Sequence, residues 1–350
     1  MLRMFRRSKA PLIPLADRGP LRVMFVVTSM PVGGAETLLV NLIRGLNREH
    51  FVPELCCLKE RGPLGEMLSS EIPVHSGFIA AKYDVRVLGR LTRLFRERRV
   101  DAVVTVGAGD KMFWGRLAAA RAGVPVVASA LHSTGWPDGI GRLNRMLTGI
   151  TDAFIGVAAP HGKHLVEVEG FPAAKVHVIP NGVDTNRFRP QPRNESMRAE
   201  LQLAPTDGAV AIVAALRPEK NHAMLLQAIA RVRRSVPTVK LLVVGEGPER
   251  DDIERLSAEL GIADAVRMLG NRGDVSDVLA AADVFALSSH MEANPVSILE
   301  ALACEVPVVA PRVGSIPETV RDGDYLLELQ LAHFVNDAAP SRPVLYALLP

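Results

Sequence analysis

The sequence predicts an α/β fold with two doubly wound domains, each built on a parallel sheet with helices on both faces. Short apolar segments rich in valine, leucine and alanine alternate with amphipathic segments, which is typical of buried parallel strands and their covering helices. The alternation occurs twice, on either side of a turn-rich stretch at 180–192. The 350 residues also exceed what one hydrophobic core usually serves, so we expect two domains.

The individual elements follow from the apolar periodicity of each segment. Predicted strands in the first half are 21–28, 51–58, 102–106, 124–130 and 153–157, with predicted helices at 36–46, 85–99 and 110–122. Predicted strands in the second half are 209–215, 239–245, 266–269, 284–287 and 306–310, with predicted helices at 222–236, 250–260, 275–282 and 295–304. Open parallel sheets bind ligands at the carboxyl ends of their strands, so we expect the site in a central cleft between the domains.

The domain boundaries follow from this division and from the ends of the chain. We expect a basic leader at 1–20, a first domain at 21–185, a second domain at 186–325 and an atypical tail at 326–350. The leader carries five basic residues against one acidic residue. A solvated leader is the simpler interpretation, and contact with an anionic membrane surface is the alternative. A basic stripe at Arg86, Arg90, Arg93 and Arg96 is best interpreted as the solvent face of an ordinary helix beside a sheet, and peripheral membrane contact is the alternative.

The overall composition excludes several classes of protein. Hydrophobic residues make up 48% and charged residues 23%, which indicates a globular chain. No apolar run reaches the roughly 18 residues that span a bilayer, and no signal peptide is evident. The three cysteines and the absence of a His, Cys or Asp cluster favour a reduced cytoplasmic protein without a zinc site. Nothing in the distribution of basic and aromatic residues indicates nucleic-acid binding.

The segment from Glu292 to Glu300 carries the strongest chemical signal. Asn294 is a suitable helix N-cap and Pro295 a suitable first helical residue, so we expect a helix to begin here. The positive end of a helix favours a phosphate. The carboxylates of Glu292 and Glu300 could then bind hydroxyl groups on either side of it. A sugar, a diphosphate and a ribose fit that geometry.

Two cationic residues, Arg217 and Lys220, follow the predicted strand 209–215. Because they are three residues apart, both could face one anion, which Arg217 would bind through its forked guanidinium and Lys220 through a point charge. Spacing alone, however, favours an exposed basic turn. His132 ends a predicted strand at the edge where the site should lie, which raises the chance that it is more than a structural hydrogen-bonder.

Glycine-rich turns provide weaker signals. Gly33 and Gly34 follow the first predicted strand and precede a helix, where backbone could approach a ligand, but a plain turn fits about as well. Neither this pair nor Gly245-Glu-Gly247 forms the Gly-x-Gly-x-x-Gly fingerprint, so a nicotinamide dehydrogenase is poorly supported.

In order along the chain, these segments resemble the GT4-type retaining glycosyltransferases of the GT-B fold, which has two Rossmann-like domains. The resemblance covers residues 21–325. Its motifs are Gly-Gly-Ala-Glu at 33–36, Leu-His-Ser at 131–133, Val-Ile-Pro-Asn-Gly-Val-Asp at 178–184, Arg-Pro-Glu-Lys-Asn-His at 217–222, Val-Gly-Glu-Gly-Pro at 244–248 and the two-glutamate segment running into Pro-Val-Val-Ala at 307–310.

The resemblance implies an enzyme that moves a sugar from a nucleotide-diphospho-sugar, UDP- or GDP-linked, to a hydroxyl of a glycan, exopolysaccharide or lipid-linked acceptor. It implies no cofactor and no metal, a cytoplasmic location, and peripheral membrane contact as an alternative. The implied catalytic residues are Glu292, His132, Arg217 and Lys220. The implied donor-binding residues are Gly33, Gly34, Arg217, Lys220, Asn294, Val296, Glu300, Gly270 and Arg272. Within these sets, Arg217 and Lys220 would neutralise the diphosphate, Glu300 would bind the ribose, and Glu292 would bind the sugar.

Three departures from the family's pattern are visible. Glu305 stands where a glycine usually follows Cys304; in a left-handed conformation it would cost ~1 kcal/mol. Ala158 stands where a serine is common. After Gly323 the chain no longer follows the family's pattern, so we expect impaired closure of the second domain, weak activity or poor solubility. A nucleotide-sugar epimerase or hydrolase of the same fold, and a degenerate binding protein without activity, are the alternative interpretations.

Overall fold

The computed structural model describes residues 19–80, 84–107, 109–132, 145–320 and 346–349. They form two compact units, one ending at Asn181 and the other beginning at Gly182. Apart from 19–20 and 346–349, the predicted leader and tail lie outside the described residues.

The first unit is a parallel sheet of seven strands among its described residues. The strands are β1 (Leu21–Val27), β2 (Phe51–Cys57), β3 (Val74–His75), β4 (Ala102–Val106), β5 (Val126–Ala130), β6 (Ala153–Gly156) and β7 (Val176–Val178). The helices are α1 (Gly34–Gly45), α2 (Gly62–Leu68), α3 (Val87–Glu97), α4 (Asp110–Ala122) and α5 (Ala159–Glu167). The strand order β3-β2-β1-β4-β5-β6-β7 reverses between β1 and β4. That order is the doubly wound topology that the alternating sequence predicts.

The second unit repeats this arrangement around a second parallel sheet. Its strands are β8 (Ala209–Val213), β9 (Lys240–Val244), β10 (Val266–Gly270), β11 (Val284–Ala286), β12 (Val308–Pro311) and β13 (Tyr346–Leu349). Its helices are α6 (Glu195–Glu200), α7 (His222–Val232), α8 (Arg250–Glu259), α9 (Val275–Ala281), α10 (Val296–Ala303) and α11 (Ile316–Thr319). The strand order is β10-β9-β8-β11-β12-β13, so the reversal lies between β8 and β11.

Apolar strands account for the cores of both units. Four of the five residues of β9, all but Lys240, are at most 2% exposed. Residues Ala209–Ile212 of β8 are also buried. Such continuous burial is typical of central parallel strands that are covered by helices on both faces. Phe188, from the turn-rich stretch between the units, packs into the core of the second unit. The turn-rich stretch therefore contributes to the folded second unit.

The predicted fold class of two doubly wound parallel sheets is confirmed, with corrections to individual elements. Most predicted strands and helices end one to four residues from the observed bounds, and helix 110–122 has the predicted ends. The short strands β3, β7 and β13 and the helices α2, α5, α6 and α11 were not predicted. Helix α10 begins at Val296 and not at Pro295, because the backbone of Pro295 (φ −72°, ψ 117°) is extended.

Candidate functional site

Two loops meet at the carboxyl ends of β8 and β11, where the strand order of the second sheet reverses. The loop after β8 contains a single 3-10 turn, Pro218–Lys220, and the loop after β11 leads into α10. The backbone N–H of His290 donates to the carbonyl of Glu219 (2.9 Å), and the Ser288 hydroxyl donates to the carbonyl of Lys220 (2.9 Å). Such a reversal point is where doubly wound sheets bind their ligands.

Lys220 and Glu292 form an ion pair at the centre of this region. The ammonium Nζ of Lys220 lies 2.5 Å from Oε1 of Glu292, and the Ser289 hydroxyl donates to the same oxygen at 2.6 Å. Glu292 is 8% exposed and Lys220 22%. The sequence predicted both as site residues. Their direct contact was not predicted, because they lie 72 positions apart.

Glycines hold the two loops in place. Gly245 and Gly247 lie in the turn after β9. A side chain on Gly245 would overlap the carbonyl of Ala214, and one on Gly247 would overlap the carbonyl of Leu216. Only glycine therefore lets this turn pack against the loop after β8. Gly314 has a positive φ of 55°, and a side chain there would overlap the carbonyl of Glu292. Gly314 is a site residue that the sequence reasoning missed, because its signal is a tertiary contact.

The start of α10 differs from the sequence prediction. Pro295 occupies the N-cap position and no side chain caps the helix, so the predicted capping by Asn294 is wrong. Val296 is the first helical residue. Its backbone N–H belongs to the first turn, whose N–H groups lack intrahelical acceptors and can receive a ligand. Asn294 and Val296 therefore flank the start of α10, which is shifted by one residue from the predicted start.

Glu300 lies one turn into α10 and is largely buried. Burial raises its pKa to about 7 from the ordinary 4.5, and the nearby positive charge of Arg187 opposes the rise. Arg187 itself donates to the carbonyl of Gly273 (2.6 Å) and lies over the Phe188 ring at 5.0 Å. Sequence reasoning missed Arg187, because it saw only turn-forming residues in that stretch.

The remaining predicted residues of the second unit differ in whether other groups of the protein already bind them. Arg217 is exposed, and its side chain has no hydrogen bond or ion pair among the described residues. Arg272 instead binds Asp274 through both carboxylate oxygens (2.6 and 2.8 Å) and Glu200 (2.8 Å), which raises its pKa. Gly270 has a φ of 65° and accepts the N–H of Gly245 at 2.8 Å. Among the described residues, Arg217 is thus a cation without a partner, whereas Arg272 is held by carboxylates.

Three predicted residues belong to the first unit. Gly33 is the N-cap of α1, which begins at Gly34. A side chain on Gly33 would lie 2.5 Å from a carboxylate oxygen of Glu36, so this acidic group covers the start of the helix. His132 lies two residues beyond β5. A phosphate near Gly33 would have to displace or approach the carboxylate of Glu36.

The described residues contain no group of three or more His, Cys, Asp or Glu side chains that could hold a metal ion. Over the same residues, no helix is both long and apolar enough to cross a membrane.

Comparisons with known proteins agree with this architecture. The family model for Glycosyltransferase Family 4 matches residues 32–187, and that for Glycosyl transferases group 1 matches residues 193–333. The chain is 35% identical over 220 residues to D-inositol 3-phosphate glycosyltransferase of Segniliparus rotundus, with coverage of 58% of this chain and 49% of the relative. It is 33% identical over 252 residues to the GDP-mannose-dependent α-(1-6)-phosphatidylinositol monomannoside mannosyltransferase of Mycolicibacterium smegmatis, covering 68% and 65%.

The matched regions span about half to two thirds of the length of these two relatives. Among solved structures, Anabaena HepE in complex with UDP and glucose superposes with a TM-score of 0.76 at 23% identity, over 90% of this chain and 89% of HepE. WaaG, a glycosyltransferase involved in lipopolysaccharide biosynthesis, gives 0.68 at 15% identity, over 90% and 91%. The two family models match the two doubly wound units in chain order. The chain belongs to the GT4-type glycosyltransferases and has the GT-B fold.

Proposed function

We propose that the protein transfers a sugar from a nucleotide-diphospho-sugar to a hydroxyl acceptor, with the donor bound at the carboxyl ends of β8 and β11. The observation that carries the proposal is the Lys220–Glu292 pair, which lies next to the start of α10. Exposed Arg217, three residues before Lys220, adds a second cation. Together they offer positive charge for a diphosphate and carboxylate oxygen for sugar hydroxyls.

The diphosphate is the group that gains negative charge when the glycosidic bond breaks. Lys220 has three N–H donors, of which Glu292 accepts one, so two remain for phosphate oxygens. The guanidinium of Arg217 adds a planar pair of donors. The N–H of Val296, at the positive end of α10, contributes in the same way. Fixed donors at the position where charge develops lower the barrier to departure of the nucleoside diphosphate.

The two glutamates have separate proposed roles. Glu292 accepts hydrogen bonds from hydroxyls of the donor sugar. Glu300, which lies eight residues further along the chain and one turn into α10, accepts hydrogen bonds from the ribose. Because its pKa is about 7, Glu300 is partly protonated at neutral pH, and hydrogen bonds from two ribose hydroxyls favour its charged form. The proposed roles of Gly33, Gly34 and His132 in the first unit, and of Asn294, Gly270 and Arg272 in the second, are those that the resemblance implies.

The finer properties of the reaction are also proposals. We propose retention of the anomeric configuration, no requirement for a metal, and a UDP- or GDP-linked donor. HepE is described as binding UDP and UDP-glucose, and the mycolicibacterial relative is named as GDP-mannose-dependent. Relatives named for inositol phosphate and phosphatidylinositol mannoside support a polyol hydroxyl, free or lipid-linked, as the acceptor.

A transfer assay tests the proposal. UDP-glucose and GDP-mannose are incubated separately with the protein and either inositol phosphate or phosphatidylinositol, with and without EDTA. The expected result is a new α-glycoside from one donor, with release of the nucleoside diphosphate. Hydrolysis of the donor without an acceptor product would support the hydrolase alternative. A β-anomer would contradict retention, and loss of transfer on adding EDTA would contradict metal independence.

Peripheral contact with an anionic membrane, at the cytoplasmic face, is proposed through the solvent side of α3. Arg93 is exposed there and has no partner among the described residues, and Val85 near the start of the helix is 69% exposed. Arg86 and Arg90 both pair with Asp84, which reduces the net charge of this face. Sedimentation with vesicles tests it: binding to phosphatidylglycerol-containing but not phosphatidylcholine vesicles is expected, weakened by Arg93→Glu. Equal binding to both would contradict it.

A further inference from the structure

The hydroxyl of Ser289 lies in the buried part of the loop after β11. Ser289 is 2% exposed, and its Oγ lies 2.6 Å from Oε1 of Glu292, three residues along the chain. A buried hydroxyl that donates to a carboxylate is a charge-assisted hydrogen bond, which is stronger than a neutral one. Ser289 therefore restricts the orientation of the Glu292 carboxylate.

Both donors to this carboxylate use the same oxygen. Nζ of Lys220 and Oγ of Ser289 contact Oε1, whereas Oε2 accepts no hydrogen bond from the described residues. Oε2 is not fully buried, so it reaches solvent. An ionised carboxylate can accept about four hydrogen bonds in total, so Oε2 is free for a ligand donor.

The backbone of Glu292 is held as firmly as its side chain. Gly314 packs so closely that any side chain at this position would overlap the Glu292 carbonyl. With the backbone fixed by Gly314 and one oxygen fixed by two donors, the direction of Oε2 is set before a ligand binds. A preorganised acceptor binds a hydroxyl without the entropic cost of ordering itself.

We infer that Ser289 is a positioning residue that directs Oε2 of Glu292 at a hydroxyl of the donor sugar. The inference rests on the proposed function and adds a specificity role to it. Through Ser289, the site distinguishes a nucleotide-sugar from the bare nucleoside diphosphate, which lacks the hydroxyl that Oε2 accepts. Ser289 itself does not contact the ligand and acts only through Glu292.

The preceding residue provides a matched control. Ser288 is as buried as Ser289, at 2% exposure, and its hydroxyl also makes one hydrogen bond. That bond goes to the carbonyl of Lys220 and not to Glu292. Loss of the Ser288 hydroxyl therefore loosens the loop that carries the cations, which both ligands require. Loss of the Ser289 hydroxyl loosens only the group that contacts the sugar.

The test compares affinities for UDP and UDP-glucose, and for GDP and GDP-mannose, by calorimetric titration of the full chain. For Ser289→Ala we expect about tenfold weaker binding of the nucleotide-sugar and less than about twofold for the nucleoside diphosphate, as loss of one charge-assisted hydrogen bond implies. For Ser288→Ala we expect both affinities to fall together. Binding of the nucleoside diphosphate also shows that each variant is folded.

An equal fall of both affinities in Ser289→Ala, or no fall in either, would overturn the inference. The inference would also be overturned if the wild-type protein bound the nucleoside diphosphate and the nucleotide-sugar equally. If the wild-type protein bound neither ligand, the proposed function itself would fail. The two failures are therefore distinguishable in one series of titrations.

Discussion

Replacement of Glu300 by glutamine should stabilise the protein at alkaline pH and weaken donor binding. In the folded protein, burial raises the pKa of Glu300 to about 7 from 4.5, so the folded state holds this proton more tightly than the unfolded chain. The contribution of Glu300 to stability is then fully present below pH 4.5 and is lost as the pH rises to about 7. That pKa difference corresponds to about 3 kcal/mol, the upper limit of what Glu300→Gln should restore at pH 8.

Urea denaturation of wild type and Glu300→Gln at pH 5, 6.5 and 8 measures this effect. The stability difference should be small at pH 5, grow through pH 6.5 and level off near pH 8. Glu318→Gln is the control, because Glu318 is exposed and removing its charge should leave the pH dependence of the wild type unchanged. A difference independent of pH, or a less stable Glu300→Gln at pH 8, would refute the reasoning.

Three further predictions follow from single residues. Glu305 has a left-handed backbone (φ 56°), so Glu305→Gly should stabilise the protein by ~1 kcal/mol and raise Tm, and an unchanged Tm would contradict this. Gly314→Ala should displace Glu292 and weaken nucleotide-sugar binding at least tenfold, and unaltered binding would mean that the contact is unimportant. Arg187→Gln should raise the pKa of Glu300 further, so stability should keep falling to a higher pH than in the wild type; an identical pH profile would exclude the electrostatic contact.

The sequence predicted the fold wherever elements are long and periodic. Strands such as β1 and β9 are mainly apolar, and α3 has clear helical spacing, so their burial could be inferred without tertiary information. Strand β3 has two residues and β7 has three, too few to establish a period. Helix α5 begins with Ala-Pro-His-Gly, and its proline and glycine weigh against a helix when only local propensity is considered.

The candidate site residues could be singled out from the sequence, but most of their contacts could not. Glu292, Glu300 and Lys220 stand out by residue type and order, and the left-handed conformation at Glu305 agrees with the glycine that the resemblance implies at this position. Contacts between loops that follow different strands, such as the contact of Lys220 with Glu292, could not be inferred, because these contacts depend on which strands become neighbours. The engagement of Arg272 with carboxylates depends on the same information.

Donor binding by Arg217→Gln tests the central claim most directly, because Arg217 is exposed and has no partner among the described residues. Its replacement should therefore leave Tm unchanged. Titration with UDP-glucose and GDP-mannose should show that the wild type binds one of them and that the variant binds it at least about tenfold more weakly, as expected for a lost charged hydrogen bond. An unchanged Kd in the variant, or no binding of either donor by the wild type, would contradict a diphosphate site at the carboxyl ends of β8 and β11.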